Sequence, residues 1–103
     1  MLGKTRVEAG VAGTNSVFKA LADPTRREIV KMLRRGPLTS GEIAEKFPST
    51  WATISRHLSV LREADLISAN RNGNSIHYEL NQTVLQELVE HVFDWTKKGG
   101  SDA

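Results

Sequence analysis

The sequence predicts a single domain, mainly α with a small β-hairpin, and three observations carry that reading. Helix-start signals recur at short intervals: "ADPTRREIV" from Ala22, "TSGE" from Thr39, and the hydroxyl pair Ser49-Thr50 ahead of "WATISRHLSVL". Pro48 separates two of these helical patterns by only a short turn. Finally, "LISANRNGNSIHYEL" alternates apolar and polar residues on both sides of Asn72-Gly73, the strongest short-range hairpin signal.

Each element follows in order. Residues 1–14 mix glycine, alanine and scattered charge without periodicity, which predicts a flexible tail, a basic arm through Lys4 and Arg6 at most. Asn15 or Ser16 is placed to cap a short helix carrying Val17, Phe18 and Leu21. Asp23 caps the next helix, with Pro24 at its first position, where a missing N–H costs nothing. Ile29, Val30, Met32 and Leu33 give that helix an apolar face. Arg34 and Arg35 suit the negative end of its dipole, and Gly36-Pro37 stops it. Thr39 to Glu42 forms a capping box that opens a third helix through Ile43, Ala44 and Phe47. Ser49 or Thr50 caps a fourth, running to about Ala64 with Ile54, Leu58 and Leu61 on one stripe. Two helices joined by a turn of about three or four residues have helix-turn-helix spacing. Leu66, Ile76, Tyr78 and Leu80 form the inward face of the hairpin. Asn81 caps a last helix with Val84, Leu85, Leu88, Val89, Val92, Phe93 and Trp95, ending at Lys97-Lys98-Gly99, so that residues 99–103 are a tail. The order defines a winged helix-turn-helix over residues 15–98, with extra N- and C-terminal helices.

Composition narrows the function. The chain has 103 residues, no cysteine and a net charge of +2. The absent thiols remove disulfides, thiol redox switching and thiolate metal sites. No apolar run reaches membrane-span length, and the start lacks a signal peptide's apolar core, so a cytoplasmic protein is expected. The charge is unevenly placed. Val17 to Leu38 carries Lys19, Arg26, Arg27, Lys31, Arg34 and Arg35 against Asp23 and Glu28, whereas Thr39 to Leu80 is slightly acidic. A DNA surface in the second stretch therefore depends on placement rather than on bulk charge. There is no nucleophile–base set, no glycine-rich phosphate loop and no paired carboxylate site, so an enzyme is not expected.

Placement favours the fourth helix. At 100° per residue, Ile54 centres the buried stripe while Ala52, Thr53, Arg56 and Ser59 fall on the far side and Ser55 on the flank. That face is narrow, hydroxylated and singly basic, which a major groove accepts. Arg56 can pair with a guanine edge or a phosphate, and Ala52 can meet a thymine methyl. Trp51 falls about 60° from the stripe centre, which predicts a ring leaning on the domain with its N–H toward a phosphate. Arg71, Asn72 and Asn74 lie at the hairpin tip, where a wing meets phosphates or the minor groove; for Asn72, turn chemistry alone is a sufficient reason.

"FKALADPTRREIVKMLRRGPLTSGEIAEKF", "TISRHLSVLREADLI" and "RNGNSIHYEL" together resemble the ArsR/SmtB family of bacterial repressors, and the tyrosine-ended wing and lack of cysteine look most like its SdpR-type autorepressors. The resemblance covers about Val17 to Trp95. It implies a homodimer built through the first and last helices, bound to a palindromic double-stranded DNA operator, often its own promoter, which it represses. Carried over by position, Trp51, Ala52, Thr53, Ser55 and Arg56 read bases, Thr39 and Ser40 meet phosphate, and Arg71 and Asn74 sit on the wing. With Thr50 at the helix cap, these form the candidate DNA-binding set. The candidate dimer interface is Val17, Phe18, Leu21, Val84, Leu88, Val92 and Trp95, a stripe wider than so small a core needs. The resemblance also suggests a variant in which a membrane receptor sequesters the repressor.

Two positions depart from the family. Asp65 stands where glycine is common; aspartate can adopt the left-handed conformation, so the fold is expected to survive with some strain. Trp51 stands where a small polar residue or glutamine is usual. Many relatives bind metals, but here His91-x-x-Asp94 is only half of the family's last-helix pattern, and its other half falls near Tyr78 and Leu80, which cannot bind zinc. No metal, cofactor or small-molecule substrate is expected. His57 is placed to buttress the fourth helix, and His77 to lie on the wing surface. The alternative function is a protein-interaction winged helix without a specific DNA site, which Glu42, Glu45, Glu63 and Glu79 keep open.

Overall fold

A computed structural model describes residues 15–102 of the chain, with side chains through residue 96. The first helix, α1, covers residues 15–21 of that range. Asn15 and Ser16 already belong to it, so neither is its cap. The other elements are α2 (Pro24–Leu33), β1 (Leu38–Thr39), α3 (Ser40–Ala44), α4 (Trp51–Glu63), β2 (Ile67–Asn72), β3 (Ser75–Leu80) and α5 (Gln82–Asp102). The expected tail at 1–14 lies outside the described residues. At the other end α5 runs on through Gly99 and Gly100 to Asp102, past the predicted stop. Each glycine costs a helix about 1 kcal/mol relative to alanine but, unlike proline, forces no termination.

Local chemistry sets the helix ends. Asp23 Oδ2 accepts the Arg26 backbone N–H at 3.1 Å, and Pro24 starts α2. Gly36, at φ 146°, turns the chain after α2 in a conformation that favours glycine. Asp65 ends the α4 turn at φ 61°, the left-handed geometry its position demands. Its N–H donates to Arg62 O at 2.9 Å, and the next N–H, of Leu66, reaches back to Leu61 O.

The wing is three-stranded, not a bare hairpin. Strand order is β1-β3-β2, all antiparallel, with Leu38 opposite Tyr78 and Thr39 opposite His77. β2 pairs with β3 from Ile67↔Leu80 to Asn72↔Ser75. The two-residue turn is therefore Gly73-Asn74, one position later than expected, with Gly73 at φ 68°. Glycine at the first central position is what type II′ hairpin turns use.

The core gathers Val17 and Ala20 of α1, Ile29, Val30 and Leu33 of α2, Ile43 of α3, Ile54, Leu58 and Leu61 of α4, and Leu66 and Ile67. No polar or charged residue is buried among the described residues. Tyr78 and Leu80 pack on this core as expected, whereas Ile76 points outward, being opposite Arg71 beyond the end of the packed surface. His77 is half-buried rather than on the surface, because β3 is the central strand with neighbours on both sides; its Nδ1 is buried without a hydrogen-bond partner.

Candidate nucleic-acid interface

The capping box at Thr39 closes in both directions. Thr39 Oγ1 accepts the Glu42 N–H at 3.1 Å, and the Thr39 N–H donates to Glu42 Oε1 at 2.9 Å. These bonds fix the first turn of α3, where Ser40 is half exposed. The chain then turns through 45–50, with Pro48 in the middle, and Thr50 restarts it: its hydroxyl oxygen accepts the Thr53 N–H at 3.2 Å and lies 3.0 Å from the Thr53 hydroxyl. Thr50, of the two expected caps, is the one used.

The faces of α4 divide as their spacing predicts. Ile54, Leu58 and Leu61 are buried, while Trp51, Ala52, Thr53, Ser55, Arg56 and Ser59 are exposed. Trp51 departs from its expected place. It is 57 % exposed, too open for a ring that leans on the domain. A residue in the first turn of a helix has no preceding turn to lie over, which accounts for the indole's exposure. Arg71 and Asn74 are exposed at the tip of the wing. The structure thus leaves both the α4 face and the wing tip open, and the hydroxyls of Thr39 and Thr50 already serve as local caps.

The basic run on α2 is reassigned. Arg26 Nε donates to Ala20 O at 2.6 Å, its Nη2 to Lys19 O at 3.3 Å, and Arg27 Nη1 to Leu21 O at 2.8 Å. Two of the six bases therefore bind the C-terminal carbonyls of α1, a placement the helix dipole favours. Arg26 Nη1 also lies 3.1 Å from His57 Nδ1 on α4, and Asp23 Oδ2 lies 3.9 Å from the same nitrogen. Because guanidinium only donates, His57 Nδ1 is the acceptor in that contact. His57 does buttress α4, as expected, and Arg26 is the residue that sequence reasoning missed: one guanidinium joins α1, α2 and α4. Burial pushes the Asp23 carboxyl up, but the Arg26 N–H, the nearby His57 and Arg26 side chains and the Thr25 N–H together outweigh it and hold it below its ordinary value.

The expected dimer stripe splits. Val17 lies inside the chain's own core and offers no surface. Leu21, Val84, Leu85 and Leu88 are half-buried against that core. Phe18, Val89, Val92, Phe93 and Trp95 stand exposed, Phe93 at 72 %. Phe18 stacks on Trp95 with centroids 5.6 Å apart, and the His91 ring meets Trp95 edge-on at 4.9 Å. His91 is thereby engaged with an aromatic, and no group of three or more potential metal ligands occurs among the described residues.

The profile of the arsR family of bacterial regulatory proteins matches residues 23–69, from the cap of α2 into β2. The transcriptional repressor SdpR of Bacillus subtilis is 46 % identical over 88 residues, covering 85 % of this chain and 98 % of that one. The chain belongs to the arsR family. It is a DNA-binding transcriptional repressor of that family and not an enzyme. The regulator Rv2034 of Mycobacterium tuberculosis is 42 % identical over 69 % of this chain and 66 % of its own. An ArsR-like transcriptional regulator from Rhodococcus sp. RHA1 superposes with a TM-score of 0.76 over 88 % of this chain and 90 % of that one, at 26 % identity. No helix is long and apolar enough to cross a membrane among the described residues.

Proposed function

We propose that this arsR-family chain acts in the cytoplasm as a homodimer on a palindromic operator, its own promoter being the first candidate, without metal regulation. The observation that carries the reading is the open face of α4: Trp51, Ala52, Thr53, Ser55 and Arg56 stand clear of the core while Ile54, Leu58 and Leu61 anchor the helix from behind. A helix presented this way offers bidentate, hydroxyl and methyl contacts to base edges. Thr39, Ser40 and Thr50 flank it at helix N-termini, which suit phosphates, and Arg71 and Asn74 extend it on the wing. A two-fold mate seated on Phe18, Val92 and Trp95 would place a second α4 for the other half-site.

Selection of bound fragments from a random double-stranded pool tests this. The expected product is one dyad-symmetric sequence, whose affinity falls steeply with salt through its phosphate contacts. Enrichment of no sequence would instead favour a domain that binds proteins. Operator affinity should also stay constant as zinc is titrated; a zinc-dependent loss would make His91 and Asp94 candidate ligands again.

A further inference from the structure

A groove of about 630 Å³ opens between the C-terminal half of α2, β1 and the turn before α4. Its apolar floor is Met32 of α2, Leu38 of β1 and Phe47 of the turn before α4, all partly buried against the core. Three exposed cations line it: Lys31 in the last turn of α2, Arg35 in the turn that follows it, and Lys46 ahead of α4. Glu28 is the only acid among its lining residues. The contact between Asp23 and His57 is not part of this groove.

This combination has a specific chemical meaning. Unlike Arg26 and Arg27, these cations hold no helix end together. A floor of thioether, aliphatic and aromatic carbon beneath them suits a molecule with an apolar body and an anionic head. The volume falls within the roughly 300–1,000 Å³ of small-molecule sites. A protein partner is less well suited, because a stable protein interface needs about 800 Å² on each side and three partly buried apolar residues supply little of that. We propose that this groove is a binding site for a small amphipathic anion, with its carboxylate or phosphate held by Lys31, Arg35 and Lys46 and its apolar body on Met32, Leu38 and Phe47. An occupant would touch both devices that present DNA-facing residues. Phe47 belongs to the turn that launches α4, and Leu38 pairs with Tyr78 in the central strand of the wing.

The test uses the full chain without DNA, so its outcome is independent of the operator reading. Decanoate, kept below its micelle concentration, is titrated calorimetrically into the protein, with decyltrimethylammonium as the cationic counterpart. Saturable binding of decanoate alone is expected. Changing Lys31→Glu, Arg35→Glu and Lys46→Glu together should weaken it about tenfold or more, as several exposed charge contacts are lost. All three residues are exposed, so the variant should still unfold in one cooperative transition, its midpoint lowered only modestly by acidic residues at the C-terminal end of α2. Phe93→Ser, on the open face of α5, should leave binding unchanged. The proposal is overturned by absence of saturation, by equal binding of the cationic amphiphile, or by loss of binding in Phe93→Ser with none in the triple variant. Binding of an oligoglutamate peptide but not decanoate would also overturn it, by making the groove a peptide site.

Discussion

Two surfaces of this domain are left open, and they differ in chemistry. Around α4 and the wing tip the exposed side chains are mostly small or polar: Thr50, Ala52, Thr53, Ser55, Arg56, Arg71 and Asn74, with Trp51 and Ile76 the large apolar exceptions. Along α1 and α5 they are Phe18, Val89, Val92, Phe93 and Trp95. The first surface is already at home in water, so a partner gains by matching donors and charges. The second loses free energy for as long as it is wet, at about 25 cal/mol per Å² of apolar surface, so a partner gains by covering it. Exposure alone does not separate the two surfaces; the residue types do.

Both surfaces ride on one core, and that core should unfold cooperatively. Leu61→Ala removes a fully buried side chain behind α4 and should cost about 2–5 kcal/mol in urea unfolding. Fluorescence from Trp51 and Trp95 should then be lost in one transition; two separate transitions would show that the surfaces are independently supported. Trp95→Glu places a charge on the apolar surface and should weaken self-association by about 2–4 kcal/mol, as loss of an interface hot spot does. Sedimentation should shift from dimer to monomer at micromolar protein, and a parent that sediments as a monomer would end the dimeric reading. Arg56→Ala acts on the other surface and should cost about 1–3 kcal/mol of operator binding while relaxing the preference at one base. Equal loss on every sequence would make Arg56 a phosphate contact. Thr50→Ala removes the α4 cap and should cost about 1 kcal/mol of stability, without altering the sedimentation of the folded protein.

The smallest effect is the pH dependence at Asp23. Its carboxyl is held below its ordinary value in the folded chain. The stability it contributes is therefore present above its unfolded pKa and is lost as pH falls through the lower, folded one. Asp23→Asn should flatten that acid limb of the unfolding midpoint and leave neutral-pH operator affinity unchanged; an unaltered acid limb would assign the dependence to other carboxylates.

Most of the fold was legible because its signals are local. The Asp23-Pro24 start, the Thr39-to-Glu42 box and the Ile54, Leu58, Leu61 stripe each lie within a few residues, and each appears in the structure. What escaped depends on contacts between distant segments. β1 is two residues long and exists only because Leu38 and Thr39 meet Tyr78 and His77. The same pairing half-buries His77, which strand alternation alone places outside. Arg26 looked like one charge in a basic run, and only the path of α1 over it makes it a clasp. Of the candidate site, the exposure of the α4 face followed from angular spacing. The openness of Trp51 did not, because a wheel gives direction and not the distance to the domain edge.

Behind the outer face of α4, the helix is held by buried side chains, the Thr50 cap and the Asp65 turn, none of which belongs to the row formed by Trp51, Ala52, Thr53, Ser55 and Arg56. Replacing members of that row changes little that the fold depends on. On the proposed reading of this row as base contacts, inheritance can vary the recognised sequence while the scaffold stays under separate selection, and divergence between lineages should accumulate at these positions first. On that reading Trp51, the bulkiest member of the row, is where a single replacement should most change which operator is preferred.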